Sequence, residues 1–252
     1  QLLKMYAALK NNPGEIVKAA ARHRLINFAR YMQPDLALEP FHVVYYTLLD
    51  KFAHGEIKKM IVQMPPQHGK SEGSSRKLPA FMLGLNPDTK ICIGSYAATI
   101  ARDFNRDVQR IIDTPKYREI FPKTFLNGSN VVTMANTYLR NSDVIEMVGH
   151  KGSLRVVGRG GALTSKTVDV MIMDDVYKDY SEGNSPIVRN AAWKWYTTVV
   201  KKRLHNKSQE LIVFTRWHEE DLIGKIEKGG EKIIDIKSWD SIKNIPDGAW
   251  VR

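Results

Sequence analysis

Three consecutive residues, Gly69-Lys70-Ser71, have the types and the order of a phosphate-binding loop. They follow an apolar run, Met60-Ile61-Val62, that predicts a buried strand, and Pro65-Pro66 breaks the chain between the two. Glycine lets the backbone approach a phosphate closely, and the N–H groups that open a following helix attract the anion. Lys70 can then reach the β- and γ-phosphates of a nucleotide, while the Ser71 hydroxyl can bind Mg²⁺.

The loop departs from the P-loop consensus at its first position. In Gly-x-x-x-x-Gly-Lys-[Ser/Thr] the first glycine stands five residues before the second, where this sequence has Met64. A bare Gly-Lys-Ser also occurs in ordinary surface turns, so this motif alone leaves both interpretations open.

A second candidate site lies about a hundred residues further on, where a hydrophobic run ends in Asp174-Asp175. In P-loop enzymes the first acid at the end of such a strand holds Mg²⁺, and a second orients or activates the attacking water. Paired aspartates also occur in simple turns. However, the carboxyl ends of parallel strands share one edge of a sheet, where α/β proteins bind ligands, so the two motifs reinforce each other.

A third apolar run, Leu211 to Phe214, ends in Thr215. A polar residue at the tip of a buried strand can sense the γ-phosphate and relay its loss to a moving segment. A strand that merely ends in threonine is nearly as good an interpretation without the other motifs.

Composition limits the class of protein. The 252 residues suffice for one core, or for one domain with a small appendage. The net charge of +11 favours a polyanionic partner, nucleic acid first and an anionic membrane surface second. Cys92 is the only cysteine, which excludes a disulfide framework or a cysteine metal cluster and fits a reducing compartment. We find no membrane-spanning run and no signal peptide. Because the chain begins with Gln, we expect a longer protein.

Strands alternate with helices along the chain, which predicts an α/β fold with a mostly parallel sheet. We predict a helical N-terminal lid or linker segment at residues 1–55 and a P-loop core at residues 56–252. Tyr45 and Tyr46 fit the core of a helix face better than a base pocket. Arg102, Arg106 and Arg110 share one helix face, which is either a DNA-facing stripe or an ordinary solvated surface.

With PPQHGKS, IMDD and VFTRWHEEDLIG in this order, the sequence resembles the ATPase domain of the large terminase subunit of tailed double-stranded DNA bacteriophages. The resemblance runs from about Phe41 to Lys225. It implies an ASCE-type P-loop NTPase, in which a central, mostly parallel β-sheet is flanked by helices and preceded by a small helical segment. Family members usually lack the first glycine of the loop, so Met64 fits that pattern.

The resemblance also implies a set of binding residues for ATP and Mg²⁺. The metal would lie on Ser71 and Asp174. The residues expected to bind the nucleotide are Pro66, Gln67, His68, Gly69, Lys70, Ser71 and Glu72, with His42 in the adenine region.

Two catalytic assignments stay open at this point. Many relatives have Asp-Glu where this chain has Asp-Asp, so the catalytic carboxylate is either Asp175 or Glu182. The loop at 165–167 lacks the glycine and arginine of many relatives, which leaves Arg155 and Arg159 as candidates for the arginine finger, acting in cis or in trans. Lys70 and Thr215 complete the expected catalytic set, with Thr215 in the coupling motif.

The resemblance implies an ATP-hydrolysing motor that translocates double-stranded DNA into a procapsid. Its expected partners are the DNA, the portal protein, the small terminase subunit and further copies of itself in a ring, pentameric on the portal. We expect it in the host cytoplasm, transiently docked on the procapsid, without a membrane and absent from the mature virion. The tail after Asp221 is too short for the family's RNase H-like nuclease, so nuclease activity is not expected.

Three other classes of protein fit the sequence less well than the motor. A superfamily 2 helicase would need a second motor domain, for which the chain is too short. A small-molecule kinase would leave the positive charge unexplained. A non-hydrolysing DNA-binding scaffold with a decayed P-loop fits poorly with an intact Gly69-Lys70-Ser71 and both aspartates.

Overall fold

The computed structural model describes residues 12–132, 137–163, 167–235 and 249–252. The helices are α1 (Pro13–His23), α2 (Leu25–Met32), α3 (Pro40–Ala53), α4 (Leu78–Leu85), α5 (Ala98–Asp113), α6 (Pro115–Ile120), α7 (Tyr180–Asn184), α8 (Pro186–Trp195) and α9 (Leu222–Lys228). The strands are β1 (Lys59–Val62), β2 (Lys90–Ser95), β3 (Val144–Glu146), β4 (Ser153–Gly158), β5 (Val168–Asp174), β6 (Leu204–Val213), β7 (Ile233–Ile234) and β8 (Trp250–Val251). A π-helical turn (Glu72–Lys77) leads into α4, and a second (Tyr196–Val200) continues α8 into a 3₁₀ turn (Lys201–Arg203).

The strands form one eight-stranded sheet in the order β3-β4-β2-β5-β6-β1-β8-β7. Among the strands that the structure describes, only β3 runs antiparallel to its neighbour, β4. Strand β6 lies between β1 and β5 and pairs with both in parallel. The ends of these three strands therefore lie side by side at the carboxyl edge of the sheet. The predicted α/β fold with a mostly parallel sheet is confirmed.

Successive side chains of β5 point to opposite faces of the sheet, and both faces are covered by apolar residues. Val170 and Ile172 pack into one hydrophobic cluster, with the aromatic residues of α2, α3 and α4. Met171 and Met173 pack into a second cluster, with Trp195 and the other large residues of α8 and its continuation. Because side chains of a strand alternate between faces, a continuous apolar run marks a strand buried on both sides.

Helices α1 to α3, the described part of the predicted N-terminal segment, share the first of these clusters. The buried carboxylate of Asp50 on α3 accepts a hydrogen bond from the N–H of Leu25 at 2.7 Å and forms an ion pair with Arg24 at 3.3 Å. Arg22 donates to the carbonyl of Ile120. The division at residue 55 and the role as a lid stay predictions, and residues 1–11 lie outside the described ranges. None of the described helices is both long and apolar enough to cross a bilayer.

Candidate nucleotide-binding site

The predicted phosphate-binding loop joins β1 to the first π-helical turn. Its backbone takes positive φ angles at Gln67 (63°) and Gly69 (74°), a conformation that residues other than glycine rarely adopt. A Cβ added to Gly69 would lie 3.3 Å from Nε2 of His42. The same His42 nitrogen lies 3.2 Å from the carbonyl oxygen of His68. The predicted adenine-region histidine is thus in contact with the loop itself.

Lys70 joins the three motifs that the sequence singled out. Its ammonium group is buried and donates to Oδ1 of Asp175 at 2.8 Å and to Oγ1 of Thr215 at 3.1 Å. The Thr215 hydroxyl donates in turn to the carbonyl of Met64 at 3.1 Å. The residue that replaces the first consensus glycine therefore contributes a backbone oxygen to the same network.

An open cavity of about 500 Å³ surrounds this network. That volume lies in the range of small-molecule sites. The residues that line it are Pro66, Gln67, Gly69, Lys70, Ser71, Glu72, Arg76, Asp175, Tyr177, Lys178, Asp179, Thr215 and Trp217.

Asp174 lies beneath the loop with its side chain fully buried. Its Oδ1 accepts a hydrogen bond from the Ser71 hydroxyl at 3.1 Å, and its Oδ2 accepts one from the Ser75 hydroxyl. Burial raises the pKa of the Asp174 carboxyl to about 6, although the two hydroxyl hydrogen bonds favour the charged form. A hydroxyl beside a carboxylate is the kind of oxygen pair that Mg²⁺ uses together with water and substrate phosphates. These residues therefore fit a Mg²⁺ ion.

Asp175 points the other way, into the cavity. Its φ of 45° is unusual for a residue other than glycine, and such strain is commonly kept at functional sites. This backbone twist gives the two consecutive carboxylates different surroundings, since the side chain of Asp175 is 34% exposed while that of Asp174 is buried.

Arg159 and Glu182 form an ion pair beside the site. Nη1 of Arg159, just after β4, donates to Oε2 of Glu182 at 2.8 Å and to the carbonyl of Val176 at 2.7 Å. The N–H of Lys178 also donates to Glu182. These hydrogen bonds, that from Arg159 first, lower the pKa of the Glu182 carboxyl. Neither Arg159 nor Glu182 lines the cavity that the described residues form.

The other arginine candidate, Arg155, is placed elsewhere. It lies within β4, and its Nη2 is 3.4 Å from Oε1 of Glu146 on β3. It lines a different cavity, of about 150 Å³, together with Cys92 and Ser153. Residues 165 and 166 of the divergent loop lie outside the described residues.

Sequence reasoning missed two residues of the site, Ser75 and Tyr45. Ser75 stands four residues after Ser71, a spacing that places both hydroxyls on one helix face and could have revealed it. Tyr45 is in the core as predicted, and its hydroxyl also donates to the carbonyl of Lys70. An added Cβ on Gly73 would lie 2.6 Å from the Tyr45 ring, so this glycine permits the close contact.

Asp221, which lies within the VFTRWHEEDLIG stretch, is buried and connects two parts of that segment. It accepts from Nε of Arg216 at 2.9 Å and from the N–H of Gly224 at the start of α9. This pair fixes the chain that follows Thr215.

Comparisons with known proteins bear on the family and the fold of this chain. The family model described as "Terminase large subunit, T4likevirus-type, N-terminal" matches residues 61–250. A comparison with curated proteins finds no match.

Among solved structures, the large terminase of bacteriophage HK97 is 15% identical with a TM-score of 0.51, over 82% of this chain and 41% of that one. A mutant ATPase domain of the Thermus phage P74-26 large terminase is 17% identical with a TM-score of 0.43, over 62% of this chain and 59% of that one. The chain thus spans about two fifths of the HK97 protein, and that likeness shows the fold. Because the family model covers most of the sequence, the chain belongs to the T4likevirus-type large terminase subunits and corresponds to their N-terminal region.

Proposed function

We propose that this chain is the ATP-hydrolysing motor domain of a phage large terminase, which translocates double-stranded DNA into a procapsid. The observation that carries the proposal is the convergence on Lys70, whose Nζ lies within 3.1 Å of both Asp175 and Thr215. A lysine, a carboxylate and a third polar strand end around one cavity are the groups that nucleotide hydrolysis and its coupling require. Family membership supports the role in genome packaging.

ATP would bind with its phosphates against the backbone of residues 66–72 and its base toward His42. Lys70 would then exchange its bond to Asp175 for the β- and γ-phosphate oxygens. Ser71 and Asp174 would hold Mg²⁺, which supplies neutralising charge to those oxygens when bound.

The geometry favours Asp175 over Glu182 as the carboxylate that orients and activates water. Asp175 lines the cavity and is partly open to solvent. The Glu182 carboxylate already accepts hydrogen bonds from Arg159 and from the N–H of Lys178. Its lowered pKa also makes it a weaker base. Glu182 then acts on the site through Arg159.

We expect Asp175→Asn to lower the turnover number for ATP about 10²-fold, because the amide can orient water but cannot accept its proton. Glu182→Gln should retain turnover within a few fold of the wild type. Steady-state ATPase measurements on both variants decide between the two carboxylates. A larger loss in Glu182→Gln than in Asp175→Asn would assign the role to Glu182 instead.

Arg159 is the better placed candidate for the arginine finger. It follows β4 at the same edge of the sheet as the loop, and its partner Glu182 belongs to the segment after β5. Arg155 lies within its strand and faces another cavity. In this proposal Arg159 leaves Glu182 to stabilise transition-state charge, in its own subunit or in a neighbouring one. Thr215 reports the loss of the γ-phosphate through its bonds to Lys70 and Met64.

The assembled motor would be a ring of these chains, pentameric on the portal protein, supplied with DNA through the small terminase subunit. It would act in the host cytoplasm, docked on the procapsid only during packaging. The ring and its partners follow from the family rather than from this geometry.

Calorimetric titration with a non-hydrolysable ATP analogue and Mg²⁺, followed by ATPase assays with and without duplex DNA, tests the proposal. We expect binding that requires Mg²⁺ and turnover that duplex DNA stimulates. Turnover indifferent to DNA would favour a small-molecule kinase. Binding without any turnover would favour a DNA-binding scaffold, and absence of binding would contradict the assigned site.

A further inference from the structure

The amino edge of the sheet, opposite the nucleotide cavity, carries a row of cations. Lysine or arginine residues stand at or just before the start of four parallel strands, β4, β2, β6 and β7, and one more lies within β6 near its start. We call these residues the basic edge: Lys151, Lys90, Lys202, Arg203, Lys207 and Lys232.

None of the six side chains of the basic edge forms an ion pair with another described residue. Lys151 lies beside Asp88, which accepts its backbone N–H at 2.8 Å and pairs with His150 at 3.5 Å. Other carboxylates near the edge also have partners. Asp169 binds His205 at 2.9 Å, Glu210 binds Lys201 at 2.8 Å and Glu231 binds Lys59 at 3.0 Å. Nε of Arg203 is buried and has no hydrogen-bond partner among the described residues. The edge therefore presents a surplus of positive charge.

The arginine row of α5, the other candidate for contact with DNA, is different. Arg102 pairs with Asp143, Arg106 with Asp103 and Arg110 with Asp107, at distances of 2.6 to 2.7 Å. Each of these charges is matched by a carboxylate, so the solvated-surface interpretation fits that face better. The basic edge, rather than the arginine row of α5, is therefore the surface whose positive charge is not matched by carboxylates.

The backbone at the start of β6 places Lys202 and Lys207 at the protein surface. The pairing with β5 shifts register between Leu204 and Gln209, and the intervening residues form an outward bulge. The Ser208 hydroxyl ties this bulge down by accepting from the N–H of His205 at 2.9 Å and donating to the carbonyl of Val168 at 2.6 Å. Lys207 at its tip is exposed, as is Lys202 just before it. A fixed backbone reduces the entropy lost when these lysines bind a ligand.

The dimensions of the row fit an extended polyanion. Six strand intervals separate β4 from β7, which at about 4.8 Å each amounts to roughly 29 Å. Double-stranded DNA rises 3.4 Å per base pair, so this length matches about eight base pairs of backbone. A small anion would need a compact pocket instead of such a row.

We propose that the basic edge binds the phosphate backbone of double-stranded DNA without regard to sequence. This inference rests on the proposed function, since it locates the DNA contact of the motor. Strand β6 begins within the basic edge, at Leu204, and ends two residues before Thr215. One strand thus spans the molecule from the DNA-contacting edge to the nucleotide cavity.

The test is the salt dependence of DNA binding by the wild-type chain and by the double variant Lys202→Ala/Lys207→Ala. Fluorescence anisotropy with two unrelated duplexes of about 30 base pairs, between about 50 and 200 mM salt, gives the slope of log K against log salt. The matched control is Arg118→Ala/Lys123→Ala, which also removes two exposed cations, but from the α6 region.

We expect the edge variant to reduce the slope by about 2 and to weaken binding roughly tenfold per lysine at 0.1 M salt, for both duplexes. The control should bind as the wild type does. ATP turnover without DNA should be unchanged in the edge variant, because both lysines lie far from the cavity.

Wild-type slope and affinity in the edge variant would overturn the inference and leave the proposed function intact; an acidic protein would then be the better partner for this surface. An equal loss in the control would also overturn it, because the effect would follow net charge alone. If the wild-type chain fails to bind either duplex, both the inference and the DNA-translocating part of the proposed function are wrong. The nucleotide site is tested separately, by measuring ATP turnover.

Discussion

Replacing Lys70 with alanine is expected to lower ATP turnover by at least roughly 10³-fold and to weaken nucleotide binding. Lys70 is the cation that contacts both the Asp175 carboxylate and the Thr215 hydroxyl. Alanine removes the charge that would stabilise the phosphate oxygens in the transition state. It also removes the link by which Thr215 would sense the nucleotide. Steady-state ATPase assays and calorimetric titration measure the two effects separately.

The fold should survive this substitution, because the partners of Lys70 face an open cavity where water can replace the ammonium group. Circular dichroism of the variant should therefore match that of the wild type. Lys123→Ala, which removes an exposed lysine after α6, serves as the control and should leave turnover unchanged. Full turnover in Lys70→Ala would contradict the assignment of the whole site.

Asp174→Asn is expected to lower ATP turnover roughly 10³-fold and, unusually, to stabilise the folded chain. The loss follows from removing the carboxylate that would hold Mg²⁺, which is worth several kcal/mol, or roughly 10³-fold in rate. The gain follows from burial, which raises the pKa of this carboxyl from 3.8 to about 6 in the folded chain. At neutral pH the wild type must keep a charge where the surroundings disfavour it, and asparagine has no such charge.

The sign of the pH dependence follows from linkage. Because folding raises the pKa of Asp174, the carboxyl contributes to stability below its ordinary pKa of 3.8, and this contribution is lost as pH rises through about 6. A difference of roughly two pKa units corresponds to about 3 kcal/mol. Ser71 and Ser75 both donate to the carboxylate, and an amide accepts from only one of them, so we expect a net gain of about 1–2 kcal/mol.

Thermal unfolding in EDTA without nucleotide, from pH 5 to pH 8, measures this effect. The melting temperature of Asp174→Asn should exceed that of the wild type by about 3–6 °C at neutral pH, and the gap should narrow toward acid pH. Asp175→Asn is the control: that side chain is partly exposed and pairs with buried Lys70, so the variant should gain nothing. If Asp174→Asn is no more stable than the wild type across this range, the buried charge of Asp174 does not lower the free energy of unfolding as we infer.

The sequence by itself determined the main strands and the edge of the sheet that carries the candidate site. Residue types near Gly69-Lys70-Ser71 and Asp174-Asp175 define two strand ends, and the apolar runs before them specify buried strands. Once these strands are parallel, their carboxyl ends must lie at one edge. The meeting of Lys70 and Asp175, 105 residues apart, therefore followed from local patterns and one topological rule.

Only the tertiary structure decided the direction and partner of each side chain. The backbone conformation at Asp175 places the carboxylates of Asp174 and Asp175 in different surroundings. Glu182 forms an ion pair with Arg159 instead of lining the cavity. Arg155 lies within β4 and lines a separate cavity, whereas Arg159, just after β4, pairs with Glu182; only the packed sheet decides these surroundings. The basic edge could not be predicted from the sequence either. Its residues are scattered along the chain and become neighbours only through the pairing of distant strands. Local preferences act over a few residues, whereas these contacts depend on the packing of the whole sheet.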